Sequence, residues 1–131
     1  MSNSPSTIIA ALNDIALHGP PAKIASDVRP YFTDDAIIVG PDLKRAARGG
    51  DAVAASYAEF REAADILDVW IGDPEVDESS SVATATLPWE MHYLCEGVEA
   101  TECGDDIYVL RREGDDWKIC WRAIHARPIE S

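Results

Sequence analysis

A chain of 131 residues is long enough to bury about two-thirds of its unfolded surface, so residues 1–131 read as one domain that needs no covalent staples. Twenty-four acidic residues against eleven basic ones give a net charge of −13, a field that repels phosphate backbones and anionic lipid and so argues against nucleic-acid and membrane partners. Three cysteines, Cys95, Cys103 and Cys120, are an odd number without C-x-x-C spacing; with no positive run or apolar segment behind Met1 to Pro5, a reducing, cytoplasmic location without leader or membrane span is expected.

Ser4 before Pro5 is a cap and first helical position, and Ile8, Leu12, Ile15 and Ala16 recur at helical spacing until His18-Gly19-Pro20-Pro21 stops them. A second, short helix follows from Ala22, with Ile24 and Val28 on one face and Pro30 at its end. Thr33-Asp34-Asp35 reads as a turn whose aspartates bond neighbouring amides, and Ala36 to Val39 as a short strand cut off by Gly40-Pro41. Asp42 to Gly50 is polar and holds Lys44, Arg45 and Arg48; Gly49-Gly50 then opens a third helix from Asp51, with Val53, Tyr57, Phe60 and Ala64 on its apolar stripe.

From Ile66 the period becomes that of strands: Ile66 to Ile71, a turn at Asp73-Pro74, Val82 to about Cys95 with Pro88 interrupting it, and a closing hairpin. That hairpin runs from Thr101 to Pro128 and turns on Glu113-Gly114-Asp115-Asp116, where Gly114 supplies the positive φ such a loop needs. Helices first and a mostly antiparallel sheet afterwards is an α+β order. The N-terminal helices should pack on a strongly curved sheet and leave a cone-shaped pocket between.

Three blocks, Phe32-Thr33-Asp34-Asp35-Ala36, Gly49-Gly50-Asp51-Ala52-Val53 to Tyr57, and Gly114-Asp115-Asp116-Trp117-Lys118-Ile119, resemble in order and spacing the nuclear transport factor 2-like superfamily, in particular its SnoaL-like branch. The resemblance covers nearly the whole chain and implies a cone of antiparallel strands around a pocket, with a homodimer through the outer sheet. It does not choose a function, because members include ketosteroid isomerase, polyketide cyclases, dehydratases, dioxygenase β subunits and proteins without catalysis. Set against ketosteroid isomerase, Gly40 stands where that enzyme has its general base, and Ala16 falls near its oxyanion-holding tyrosine. Tyr108 falls near the supporting aspartate and is alone able to donate a hydrogen bond, so that isomerase chemistry is not expected.

Strict alternation along the last strand puts Trp117, Ile119, Trp121, Ala123 and His125 on the inward face, and Lys118, Cys120, Arg122 and Ile124 on the outer one. Trp121 would then wall the pocket and His125 stand at its mouth as an acid or base near neutral pH; a water-exposed strand-end histidine is the plainer alternative. Trp89, Met91 and Tyr93 share a face suited to lining a pocket or filling a core, with Glu90 and His92 opposite, and Tyr57 joins them from the third helix. Asp106, in phase with Tyr108, is the carboxylate that would face the pocket near His125. The catalytic candidates are therefore His125, Asp106 and Tyr108, and the ligand-binding candidates Trp121, Trp89, Met91, Tyr93 and Tyr57. His18, His92 and His125 lack metal-ligand spacing, and neither a G-x-S-x-G elbow nor a Gly-rich phosphate loop is present, so no metal or cofactor is expected.

Two readings stay open. One is a small-molecule-binding SnoaL-like domain for an apolar or aromatic ligand, with cofactor-free acid/base chemistry of isomerase, cyclase or dehydratase type by His125 and Asp106. The other is a non-catalytic homodimeric interaction module whose cone is filled by its own side chains.

Overall fold

The computed structural model describes residues 4–42 and 44–128; Met1 to Asn3, on which the leader expectation partly rests, Leu43 in the polar segment, and residues 129–131 lie outside them. Helix α1, Pro5–His18, starts where expected: the Ser4 hydroxyl accepts from the Thr7 amide at 3.2 Å, and Pro5 fills the first position. Ile8, Ile9, Leu12 and Ala16 form its buried stripe, and each of the three larger side chains contributes about 1.5–3 kcal/mol by leaving water. Helix α2, Ile24–Val28, is one short turn that buries Ile24 and Val28 between tight 3₁₀ turns at Pro21–Lys23 and Arg29–Tyr31. Helix α3, Gly50–Ala63, follows Gly49, whose φ of 92° is open to glycine and strained for other residues. Its buried stripe is Val53, Ala54 and Tyr57, whereas Phe60 is exposed and Ala64 already belongs to the next strand.

Among the described residues seven strands form one open, curved sheet: β1 Phe32–Val39, β2 Arg45–Arg48, β3 Ala64–Ile71, β4 Glu75–Glu78, β5 Val82–Cys95, β6 Val98–Glu113 and β7 Asp116–Pro128. The order is β2-β1-β7-β6-β5-β3, with β4 also beside β5; only β1 and β7 run parallel. The architecture is the expected α+β one, with the three helices packed on the inner face. Strands β2 and β4 add to what the sequence suggested, since Asp42 to Gly50 reads there as a polar connection. Asp34 and Asp35 lie within β1 and not in a turn before it, at an irregular stretch of its pairing with β7. Arg29 binds Asp34 and Asp51, and Arg111 binds Asp35.

Pro88 does not interrupt β5. Its carbonyl accepts from the Gly72 amide at 2.8 Å, so its missing N–H faces the gap where β4 hands over to β3 and no ladder bond is lost there. The β5–β6 turn places Glu96 and Gly97 at φ of 53° and 79°, and the β6–β7 turn places Gly114 at 66°.

One irregularity decides which side chains face inward. Val109 pairs with Trp121 but Leu110 pairs with Ile119, so Cys120 is an extra residue in β7. Before it Trp117 and Ile119 are buried in the core; after it the alternation is inverted, and Arg122, Ile124 and Ala126 take the inner face. The expected inward set from Trp121 to His125 is therefore corrected: a bulge shifts the phase by one residue, and Trp121 turns outward.

Candidate functional site

Between α1, α3 and the inner face of the sheet lies a cavity of about 330 Å³. Its walls are mainly apolar: Leu17 from α1, Tyr57 and Phe60 from α3, Val69 and Ile71 from β3, Leu87, Trp89, Met91 and Tyr93 from β5, and Ile124 from β7. Strand alternation makes this possible, because Leu87, Trp89, Met91 and Tyr93 on β5 and Glu102 and Asp106 on β6 are in phase and face the same hollow.

The innermost polar group is Asp106. It is held by three donors: Trp89 Nε1 on Oδ1 at 3.0 Å, and Arg122 at 2.5 Å and the Tyr108 hydroxyl at 3.4 Å on Oδ2. The side chains of Asp106 and Arg122 are 6% and 14% exposed, so this ion pair sits almost out of water. Such a pair persists only when its desolvation is offset by close geometry and further hydrogen bonds, which Trp89 and Tyr108 supply. The guanidinium lies over the rings of Tyr57 and Tyr108, 5.3 Å from each centroid, and its other terminal nitrogen donates to the Tyr57 hydroxyl at 2.5 Å. Its Nε is buried without an acceptor among the described residues.

The electrostatics follow from burial. Desolvation works against the Arg122 cation, but the Asp106 carboxylate outweighs it, and the proton is held well above the ordinary arginine range. Burial likewise pushes the Tyr57 hydroxyl up, reinforced by Asp106 and opposed by Arg122, and pushes that of Tyr108 well up. Both phenols are therefore neutral proton donors at any physiological pH. Tyr57 accepts from Arg122 and keeps its own O–H free to donate into the cavity, a donor sharpened by the adjacent cation.

A second polar group lies further along the same strand face. Tyr93 donates to Glu102, and that bond, with burial, pushes the Tyr93 hydroxyl up to about 12. Phe60 packs edge-on against Tyr93, with centroids 6.0 Å apart.

Of the candidate residues, Asp106, Tyr108, Trp89, Met91, Tyr93 and Tyr57 come together in or just behind the cavity wall. Trp121 and His125 do not. Trp121 lines a shallow surface depression with Val39, Lys44 and Arg45, and His125 is an exposed residue paired with Asp105. The expected His125–Asp106 unit is thus not assembled, for the same reason of phase. His92, on the face opposite Trp89, Met91 and Tyr93, faces Glu99 at 3.5 Å. Sequence reasoning missed Arg122 and Glu102. Glu102 was legible, since it is in phase with Asp106 and Tyr108; Arg122 could have been inferred only from the demand of a buried carboxylate for a cation. Among the described residues no group of three or more His, Cys, Asp or Glu is placed to hold a metal ion.

A strongly bent, mostly antiparallel sheet, roofed by three helices over an apolar hollow with a buried charge cluster, defines the class. The model of the SnoaL-like domain matches residues 22–123, and the chain belongs to this family, within the nuclear transport factor 2-like superfamily. Solved structures agree. A ketosteroid isomerase-like protein from Erwinia carotovora atroseptica is similar with a TM-score of 0.72 and 21% identity, over 98% of this chain and 99% of that one. A nuclear transport factor 2-like protein from Cytophaga hutchinsonii has a TM-score of 0.72 at 11% identity, over 92% and 93%. A putative calcium/calmodulin-dependent protein kinase type II association domain from Thiobacillus denitrificans has 0.69 at 18% identity, over 99% and 98%. At these identities the likeness is one of fold. The search of curated proteins finds no match. Among the described residues no helix is long and apolar enough to cross a membrane.

Proposed function

We propose that the chain binds a small, largely apolar molecule of aromatic thickness in this cavity, with an oxygen of the ligand anchored by the Tyr57 hydroxyl and Arg122. The observation that supports this reading is the open volume of about 330 Å³, walled by aromatic and aliphatic side chains and converged on by a few polar groups. The same volume speaks against a cone filled by its own side chains. Membership of a small-molecule-binding domain family points the same way. Acid/base catalysis by His125 and Asp106 loses its support, because the imidazole lies outside and both carboxylate oxygens are engaged by donors.

The test is calorimetric titration with 4-acetylbiphenyl, a flat apolar ketone. Native protein should bind it, and Ile124→Trp, which fills the hollow, should fold with an unchanged circular dichroism spectrum and bind at least tenfold more weakly. Equal affinity of the two proteins would place the ligand elsewhere.

We propose in addition that a second copy of the chain covers the outer sheet face, where Ile107, Val109 and Trp121 form an apolar strip on neighbouring strands and Ile107 is 40% exposed. Sedimentation velocity should give a dimer for the native chain and a monomer for Trp121→Glu. A native monomer at micromolar concentration contradicts this.

A further inference from the structure

The cavity has two unlike polar ends. Asp106 and Glu102 are four residues apart on β6 and face the same hollow, so their positions differ by about 13 Å along the strand. At the Asp106 end a cation and an anion already neutralise each other, and the spare capacity is one of donation: the Tyr57 O–H and the remaining N–H bonds of Arg122. At the Glu102 end the spare capacity is one of acceptance. Tyr93 occupies Oε1, and Oε2 has no partner among the described residues. Trp89 lies between the two ends, with Leu87 opposite Asp106 and Met91 opposite Glu102, and the three offer only apolar surface apart from an indole N–H already given to Asp106.

We infer that the cavity is specific for elongated neutral ketones, esters or amides that carry a hydroxyl or amino group at the far end, bound with the carbonyl at Tyr57–Arg122 and the donor at Glu102. This rests on the ligand-binding reading and adds substrate class and orientation to it. The two ends, about 13 Å apart along the strand at Asp106 and Glu102, ask for a ligand elongated enough to reach both.

The charge state of each end decides against the obvious alternative. A carboxylate is the usual partner of a buried arginine, but here Asp106 holds that place. A ligand carboxylate would put two anions on one guanidinium in a nearly dry site and leave the cluster negative. The overall charge of −13 adds to that repulsion. At the other end a second carbonyl would meet the Glu102 carboxylate with no proton between them, whereas a hydroxyl or amine donates to it in a charge-assisted bond.

The experiment compares three probes of one size by calorimetry on the full chain: 4-acetylbiphenyl, 4-acetyl-4′-hydroxybiphenyl and 4′-hydroxybiphenyl-4-carboxylate. The added hydroxyl should tighten binding about tenfold, and replacing the ketone by carboxylate should weaken it tenfold or more. Glu102→Leu should erase the hydroxyl gain, so that 4-acetylbiphenyl and 4-acetyl-4′-hydroxybiphenyl bind that variant with equal affinity. Glu102→Gln, which keeps the shape and a neutral acceptor, should retain a few-fold gain and serves if the leucine variant does not fold. A hydroxyl gain that is absent in the native chain or undiminished in the Glu102 variants overturns the orientation, as does tighter binding of the carboxylate. In those cases binding of 4-acetylbiphenyl, sensitive to Ile124→Trp, leaves the cavity reading standing. If none of the three probes binds, both fall together.

Discussion

Asp106 is the residue on which the inner wall turns. A carboxylate with 6% of its side chain exposed needs a cation beside it, and Arg122 at 2.5 Å is that cation. Removing one member strands the other in a dry site, so Asp106→Leu alone or Arg122→Met alone should cost about 3–5 kcal/mol each. The double variant should lose far less than the sum, because an apolar pair needs no compensation there. Urea unfolding of the four proteins measures this; additive losses would mean that the pair is not energetically coupled. Part of this site was legible in the residues. Asp106 and Tyr108 share a phase ahead of a β-branched run, and one of two adjacent aspartates had to face inward. Arg122 was hidden, because nothing in Cys120-Trp121-Arg122 announces that the chain takes an extra residue there.

At the level of elements, what could be read and what could not separate by mechanism. Helices α1 and α3 are written in local chemistry: a serine cap with proline behind it, a glycine at φ 92°, and apolar residues every three or four positions. The long strands of the closing hairpin are equally local, since Gly114 sets the loop and β-prone runs flank it. Strands β2 and β4 are four residues each, Arg45–Arg48 and Glu75–Glu78, mostly exposed and charged. Neither has an apolar alternation to find; each exists because a neighbouring strand offers unpaired backbone groups, and that is information held by the sheet and not by the segment. Pro88 shows the converse. A residue that normally breaks a strand is tolerated in the middle of β5 because the ladder on its donor side changes partner at that point.

The bulge in β7 connects the elements to the whole molecule. One inserted residue lets the same strand bury Trp117 and Ile119 under the helices and then present Arg122 and Ile124 to the hollow, while Trp121 passes to the outer face. The curved sheet thereby gains two unlike surfaces: an inner one with a neutralised charge cluster at the end of an apolar hollow, and an outer one with an apolar strip open to a second copy. A crystal structure of the native chain with 4-acetylbiphenyl tests most directly whether the inner surface is the binding site. The ketone should lie between Leu87, Trp89 and Ile124, with its oxygen within about 3.2 Å of the Tyr57 hydroxyl or an Arg122 nitrogen. A ligand found against Trp121 on the outer face, with the inner hollow closed by its own side chains, would contradict it.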